Sequence, residues 1–484
     1  MGDDTKMIDD GSPKALLSTY HEYKADILIA SLTADVHIKK GDRRPYVPED
    51  LRAINLAALE MVDYVVIDRD ETPLRNLALI QPDYFAKGYE YTVGQVHPRT
   101  QEEIKILESY GGEIIFTPGD IVYSSSALIE LAPPSIAVEK LMLLMQAENV
   151  TFKDLRDALG KLKGIRAHVV GDTIVDSYTY TSMIGGMTKT PTISVRFEKK
   201  TDYVGGAGVV AKHLRAAGAE VTFSTVLGED ALKSLVLDDL NGFGVRCLPV
   251  IDPTRPTTNK NAIVAEGYRL LKVDTLDNRS ISDRILARLR RQIADTRSDA
   301  VVCSDFRHGI FNRSTIPPLT AAIPKGAFRV ADSQVASRWG NILEFEGFDL
   351  ITPNEREARF ALGDQDSVVR PLALELHQRS KCKTVILKCG DRGIITYRSD
   401  SPTDFRAFFT IESFADRVVD ALGAGDALLA YATLAKVADG SEVVASILGC
   451  MAAGLECEKD GNIPITKADV LRKIDAVEKL ARLH

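Results

Sequence analysis

The sequence predicts an α/β protein of two doubly wound domains, and three observations carry that reading. The chain has 484 residues, and at about 100–200 residues per domain that is room for two to four. Short apolar runs alternate with stretches of helical periodicity from residue 26 to 116 and again from residue 166 onward, the pattern of parallel sheets flanked by helices. The composition, 45% hydrophobic and 26% charged, excludes collagen-like, coiled-coil and wholly disordered chains.

In the first domain, Asp26–Leu32 reads as a buried strand, Pro48–Met61 as an amphipathic helix and Val62–Ile67 as the next strand. A further βα unit spans Pro82–Tyr110, and Glu113–Phe116 follows as a strand. Pro133-Pro134 breaks the pattern. Two Leu/Met-rich helical stretches then fill Ser135–Lys163, interrupted near Asn149-Val150-Thr151, where Thr151 followed by Asp154 marks a helix start. These helices are expected to link the domains and to bury their apolar stripe against a domain or a second subunit. The expected boundaries are 1–132, a helical linker 133–165, and 166–484.

The second domain opens with the strand Ala167–Asp172. Thr190–Phe197 and Asn261–Val273 are β-rich and stand apart from the βα units, as a small lid would. Ala300–Cys303, Phe328–Asp332, Leu350–Thr352 and Thr384–Leu387 read as successive core strands.

Charge and composition narrow the partners. A formal net charge of −8 argues against nucleic acid, whose phosphates call for clustered Lys and Arg, but not against small phosphorylated ligands. No run of about 18 apolar residues occurs, and the apolar stretch around Leu141–Met145 is interrupted by Glu139, Lys140 and Gln146, so no membrane span is expected. The acidic start MGDDTKMIDD has no basic and apolar leader, and a cytoplasmic location is expected. The six cysteines form no CxxC pair and are expected to be reduced, with neither disulfides nor zinc.

The strongest local signal is Asp420-Ala421-Leu422-Gly423-Ala424-Gly425-Asp426, followed by the apolar stretch Ala427–Val437. A Gly-Ala-Gly turn opening a helix exposes unpaired amides at the positive end of the helix dipole, a ready anion site. Asp426 beside them is placed to accept a proton from a hydroxyl attacking a phosphoryl group; the alternative is an ordinary first-turn acid beside a tight turn. Other segments fall at strand ends or helix starts, where open α/β sheets bind ligands. Gly171-Asp172 offers a carboxylate to hydroxyls, Gly205-Gly206-Ala207 allows close backbone approach, and Asn354 with Glu357 could orient magnesium-bound water near phosphates. Lys388-Cys389-Gly390-Asp391-Arg392-Gly393 adds a Gly-rich strand end.

In family order, Gly171-Asp172-(x3)-Asp176, Gly205-Gly206-Ala207, Thr257-Thr258-Asn259-Lys260, Ser304-Asp305, Thr352-Pro353-Asn354-Glu355 and Gly423-Ala424-Gly425-Asp426 resemble the PfkB/ribokinase carbohydrate kinases, most of all the heptose-phosphate kinases. The resemblance implies a Rossmann-like core with a β lid, ATP, Mg²⁺, and transfer of the γ-phosphoryl group to a hydroxyl of a sugar or sugar phosphate; a homodimer is expected as well. Carried over, Asp426 is the base and Gly423, Ala424 and Gly425 the anion hole. Asp172, Gly205, Gly206, Lys260 and Asp305 bind substrate, Asn354, Lys388, Gly390 and Gly393 bind nucleotide, and Glu357 serves the metal. Four positions depart from the pattern: Val209 stands for an Asn, Leu422 for a Thr, Gln334 for the Lys of Asp-Pro-Lys, and Cys450 for a frequent Asn. These departures leave the sugar open, with discrimination against ordinary heptose phosphate expected from Val209.

The first domain resembles cytidylyltransferase-like nucleotidyltransferases through Ala25–Ile29, Gly41-Asp42-Arg43-Arg44-Pro45, Arg52, Val62–Val66, Lys87–Tyr91 and Tyr123–Ile129. That likeness implies triphosphate contacts from Arg52, Lys87, Ser124, Ser125 and Ser126; for Arg52 and Lys87 the alternative is a solvated surface role. Its HxGH motif would fall near Gly11-Ser12-Pro13-Lys14 and is absent, as are, by pattern, the strand and Gly-rich loop before it. The expectation is a folded domain without nucleotidyl transfer. The rivals are a bifunctional kinase and nucleotidyltransferase making a nucleotide-activated sugar, and a ligand-binding scaffold in which both halves are degenerate.

Overall fold

The computed structural model describes residues 5–8, 26–37, 48–88, 98–117, 136–185, 193–335, 340–399, 406–459 and 461–483. The chain divides into two compact units, Met1–Pro134 and Ser135–His484.

The first unit is a five-stranded sheet of β1 (Thr5–Ile8), β2 (Ile27–Thr33), β3 (Tyr64–Asp68), β4 (Tyr84–Gly88) and β5 (Glu113–Thr117). Its spatial order is β3-β2-β1-β4-β5 and its pairings are parallel. β1 corrects the sequence reading: a strand does precede Ala25, and it lies in the centre of the sheet. Four residues, Thr-Lys-Met-Ile, give no legible period; pairing with β2 on one side and β4 on the other fixes them as a strand. Leu28, Ala30, Leu32 and Ala86 from the strands form an apolar cluster with Leu56 of the helix Glu49–Ala57 and with Val62. Gly11–Lys14, Gly41–Pro45, Tyr89–Tyr91 and Tyr123–Ile129, with Ser124, Ser125 and Ser126, lie outside the described residues.

In the second unit, nine strands form the main sheet. They are β6 (Arg166–Gly171), β9 (Glu220–Leu227), β10 (Arg246–Ile251), β13 (Ala300–Asp305), β14 (Phe328–Ser333), β15 (Leu350–Ile351), β16 (Thr384–Lys388), β17 (Ile394–Tyr397) and β18 (Phe408–Ile411). The order is β10-β9-β6-β13-β14-β15-β16-β17-β18, parallel up to β16 and antiparallel at the β17 and β18 edge. β13 is buried along its whole length, as a central parallel strand covered on both faces must be.

Four strands, β7 (Thr173–Gly185), β8 (Ser194–Gly206), β11 (Asn259–Ala265) and β12 (Tyr268–Thr275), form a separate sheet in the order β12-β11-β7-β8. This is the lid, larger than the sequence reading because β7 continues almost directly from β6. Its outer strand β12 is exposed throughout, with Tyr268, Leu271 and Val273 in solvent.

Helices Ile136–Ala147 and Phe152–Lys161 pack into the second unit. Val138, Leu141, Met145, Leu155 and Leu159 join one cluster with Val169, Leu428 and Ile447. Thr151 and Asp154 form a reciprocal cap at the start of the second helix.

Candidate functional site

The site lies at the carboxyl ends of the central strands, where the doubly wound topology places ligand crevices. A cavity of about 520 Å³ is lined by Asp332, Gln334, Asn354, Glu357, Lys388 and the turn 421–426. A second cavity, of about 610 Å³, opens between that turn and the lid residues Asp176, Lys260, Arg269 and Lys272. Ala421 and Leu422 line both, so the turn is the wall the two compartments share.

Gly423 has φ 84° and caps the helix Ala424–Asp439. A Cβ there would stand 2.7 Å from Asn462 Oδ1 and 3.1 Å from Glu456 Oε1, so only glycine fits the turn. The first-turn amides of this helix have no intrahelical carbonyl to reach, and they open on the 520 Å³ cavity. Asp426 follows them, half-buried. Burial pushes its carboxyl up to about 7, Asp332 and Glu357 add to the rise, and Lys388 pulls it back. An acid poised near neutrality is what a general base needs.

Lys388 ends β16 and is the cation of this cluster. Its Nζ lies 3.0 Å from Asp332 Oδ1, and a Cβ on Gly425 would approach it to 3.1 Å. Burial lowers the lysine's pKa, but Asp332, Glu357 and Asp426 outweigh burial and the net shift is upward. The ammonium therefore stays charged. Gln334, where the kinase pattern has lysine, lines the same cavity, so Lys388 supplies a positive charge to the compartment in which that lysine is missing. Sequence reading singled out Lys388 as nucleotide-binding but missed this relation, since 54 positions separate the two residues in the chain.

Asn354 and Glu357 cap the helix Glu355–Leu362 reciprocally: the Glu357 amide donates to Asn354 Oδ1 at 2.8 Å, and the Asn354 amide donates to Glu357 Oε2 at 2.7 Å. Burial pushes Glu357 up to about 7, with Lys388 opposing and Asp332 adding. One Glu357 oxygen is thus engaged by its own helix cap. Among the described residues no cluster of three or more metal-ligating side chains occurs. Two carboxylates, Asp332 and Glu357, on one cavity wall suit an ion that keeps most of its water and is shared with phosphates. Gly390 and Gly393 line the same cavity. Cys450 also lines it, its thiol 3.5 Å from the Glu412 carbonyl oxygen.

The expected substrate ligands separate into two groups. Lys260 faces the lid cavity with Asp176 and Lys272; burial and Lys272 lower its pKa while Asp176 raises it. Gly205 leaves room for Asp176, since a Cβ there would fall 2.1 Å from its Oδ2. Gly206, at φ 58°, turns β8 into the helix Ala207–Ala216. Asp172 and Asp305 line neither cavity. The Asp172 carboxylate is buried and accepts the amides of Phe306, His308 and Ile310 at 3.0, 3.2 and 3.4 Å. Asp305 is buried against Arg307 at 3.0 Å and accepts the Ser333 hydroxyl at 2.9 Å. Both hold the 305–310 loop, and their position gives no support to direct substrate contact. Val209 is 1% exposed and lines neither cavity, so the discrimination expected from it has no structural basis. Leu422, 45% exposed, does line both cavities.

In the first unit, Lys87 is buried in an ion pair with Glu103 at 2.7 Å, contrary to the solvated surface role. Arg52 pairs with Asp35 and donates to the Thr33 carbonyl at 3.0 Å.

Residues 165–468 match the pfkB family carbohydrate kinase model. Among curated proteins, the chain is 28% identical over 333 residues to the Bifunctional protein HldE of Desulfatibacillum aliphaticivorans, covering 67% of this chain and 65% of that protein. It is 26% identical over 330 residues to the protein of the same name from Pelobacter propionicus, 66% of each. The chain therefore spans about two thirds of the length of the curated relatives it matches. Among solved structures, Escherichia coli phosphofructokinase-2 in complex with potassium superposes with a TM-score of 0.53 at 19% identity, over 65% of this chain and 99% of that one. Arabidopsis thaliana ribokinase complexed with ribose and ATP gives a TM-score of 0.50 at 21% identity, over 64% and 99%.

Proposed function

Since this chain belongs to the pfkB family of carbohydrate kinases, we propose that its second unit transfers the γ-phosphoryl group of ATP to a hydroxyl of a sugar or sugar phosphate. One observation carries this reading: the helix start Gly423–Asp426, the Lys388 ammonium and a carboxylate poised near pH 7 converge on one cavity, beside a lid cavity that offers Lys260, Lys272 and Arg269.

The nucleotide occupies the 520 Å³ cavity with its phosphates toward the turn, and the sugar lies under the lid. The substrate hydroxyl oxygen attacks the γ-phosphorus as its bond to the β-phosphate oxygen breaks, and ADP leaves. Asp426 takes the hydroxyl proton. The helix amides and Lys388 face the charge that develops on the transferred group, fixed donors that need no reorganisation at the moment of reaction. Glu357 and Asp332 are the residues that would hold Mg²⁺, which would supply positive charge to the phosphates. The basic lid favours a substrate that already carries a phosphate. The exposed apolar face of β12 is the surface through which we place a homodimer.

For the first unit we propose a folded domain without nucleotidyl transfer. The buried Lys87–Glu103 pair supports this, because a lysine so engaged is not available to a triphosphate. Steady-state ADP release by the full chain over a panel of sugars and sugar phosphates tests the kinase. Asp426→Asn is expected to lower kcat by about 10²–10⁴-fold with ATP affinity nearly intact. Equal turnover by wild type and variant at saturating substrate would overturn the assignment.

A further inference from the structure

The opposite rim of the nine-stranded sheet carries a cavity of about 950 Å³, larger than either catalytic compartment. It is walled by the amino ends of β6, β9 and β10 and by the helix Asp283–Asp295. Lys388 and Asp332 stand at the carboxyl ends of their strands. Six parallel residues span about 17–20 Å, so the two sites are separated by roughly the depth of the sheet.

Seven basic side chains and two acidic ones line this cavity, in a chain whose net charge is −8. Two of the seven have structural duties. Arg166 pairs with Asp299, its Nε 3.0 Å from Oδ2. Arg215 donates to the carbonyls of Gly244 and Ala219, at 3.2 and 3.4 Å. The other five, Lys163, Arg246, Arg288, Arg291 and Arg297, make no ion pair among the described residues.

Helix dipoles do not account for these charges. A cation gains from a helix carboxyl end only within the last turn, and the last turn of Asp283–Asp295 holds no basic residue. Arg288 and Arg291 stand further back, three residues apart on one stripe with Gln292 and Asp295. The opposite stripe of Ile285, Leu289 and Ile293 is buried. Like charges at that spacing repel, and Arg246, at the first position of β10, adds to them. An anion relieves the repulsion, and planar guanidinium groups match phosphoryl oxygens in bidentate pairs.

We propose that this cleft binds a small polyphosphorylated molecule, a chain of adjacent phosphoryl groups with or without a nucleoside. Its volume is in the range of small-molecule pockets, and the negative charge of the remaining surface disfavours an extended polyanion running beyond it. The site is independent of the catalytic reading.

The test is calorimetric titration of the full chain with inorganic tripolyphosphate, for wild type and for Arg246→Ser/Arg291→Ser, with melting curves to show that both are folded. Any binding in the catalytic cavity persists in the variant, so the difference reports the cleft. A saturable site that the double variant weakens at least tenfold is expected, with kinase turnover unchanged. Guanosine triphosphate in a parallel titration separates the sources. Tenfold tighter binding than tripolyphosphate identifies a nucleotide, and equal binding identifies the phosphate chain alone; either supports the proposal. Identical isotherms for wild type and variant, or displacement of tripolyphosphate by a short RNA duplex at lower concentration, would overturn it.

Discussion

Replacing Lys388 by methionine removes the one charge that stabilises three carboxylates while nearly keeping the side-chain volume. Lys388 lies 3.0 Å from Asp332 and draws down the pKa of Asp426 and of Glu357. An opposite charge within about 4–6 Å lowers a carboxyl pKa by about 1–3 units, so its loss raises Asp426 from about 7 by that amount. The base must be ionised to take a proton, so activity falls on the acid side of its pKa. The acid limb of the kcat profile, expected near pH 7 in the wild type, therefore moves to about pH 8 or above in Lys388→Met. At pH 7 this titration alone costs about fivefold or more in kcat. Loss of a donor facing the transferred group adds about 10²–10³-fold at all pH values. The assay is ADP release at saturating substrates between pH 5.5 and 9.5. Adding Gln334→Lys returns a cation to the same cavity and is expected to restore part of the rate and to move the limb back. An acid limb unchanged in Lys388→Met would refute the electrostatic reasoning, and a rate unchanged as well would remove Lys388 from the site.

Three further outcomes follow from buried charges. Lys87→Met removes one half of the buried ion pair with Glu103 and should destabilise the first unit by about 3–5 kcal/mol. Lys87→Met/Glu103→Leu should recover most of that loss in a denaturant titration. Glu456 is fully buried, its Oε1 4.0 Å from His213 Nε2, and burial pushes its pKa up to about 8. A raised carboxyl pKa gives stability that is present below the unfolded value near 4.5 and is lost as pH rises through 8. Glu456→Gln should therefore melt above wild type at pH 8.5 and level with it at pH 4.5, in scans at the two pH values. Finally, pyrophosphate release from nucleoside triphosphates and sugar 1-phosphates should stay at background; release abolished by Arg52→Ala and retained in Asp426→Asn would restore the bifunctional reading.

The sequence made the two doubly wound sheets, the lid and the turn at 423–426 legible, because long apolar strands and a glycine-framed helix start have local signatures. β1 was not legible, since four residues show no period and its identity comes from strands on either side. Nor could chain order show which polar residues of the motifs face ligand. Asp172 and Asp305 follow strands as binding residues do, yet their carboxylates are consumed by the 305–310 loop. Val209 was placed at a substrate position by motif spacing, and the first turn of its helix points it into the protein. The Lys388–Asp332–Gln334 relation is a product of neighbouring strand ends, which the linear text leaves far apart.

The packing of helices Ile136–Ala147 and Phe152–Lys161 dictates how the chain can be cut. Val138, Leu141, Met145, Phe152, Leu155, Leu159 and Leu162 are all buried. At about 1.5–3 kcal/mol each, seven such side chains contribute about 10–20 kcal/mol as an upper bound. The net stability of a whole domain is about 5–15 kcal/mol. A fragment begun at Arg166, where the first core strand starts, would expose the hydrophobic bed these helices cover and would be recovered as aggregate. A fragment begun between residues 118 and 135 keeps both helices with the sheet they seal, and it is the one to express when the kinase is wanted alone.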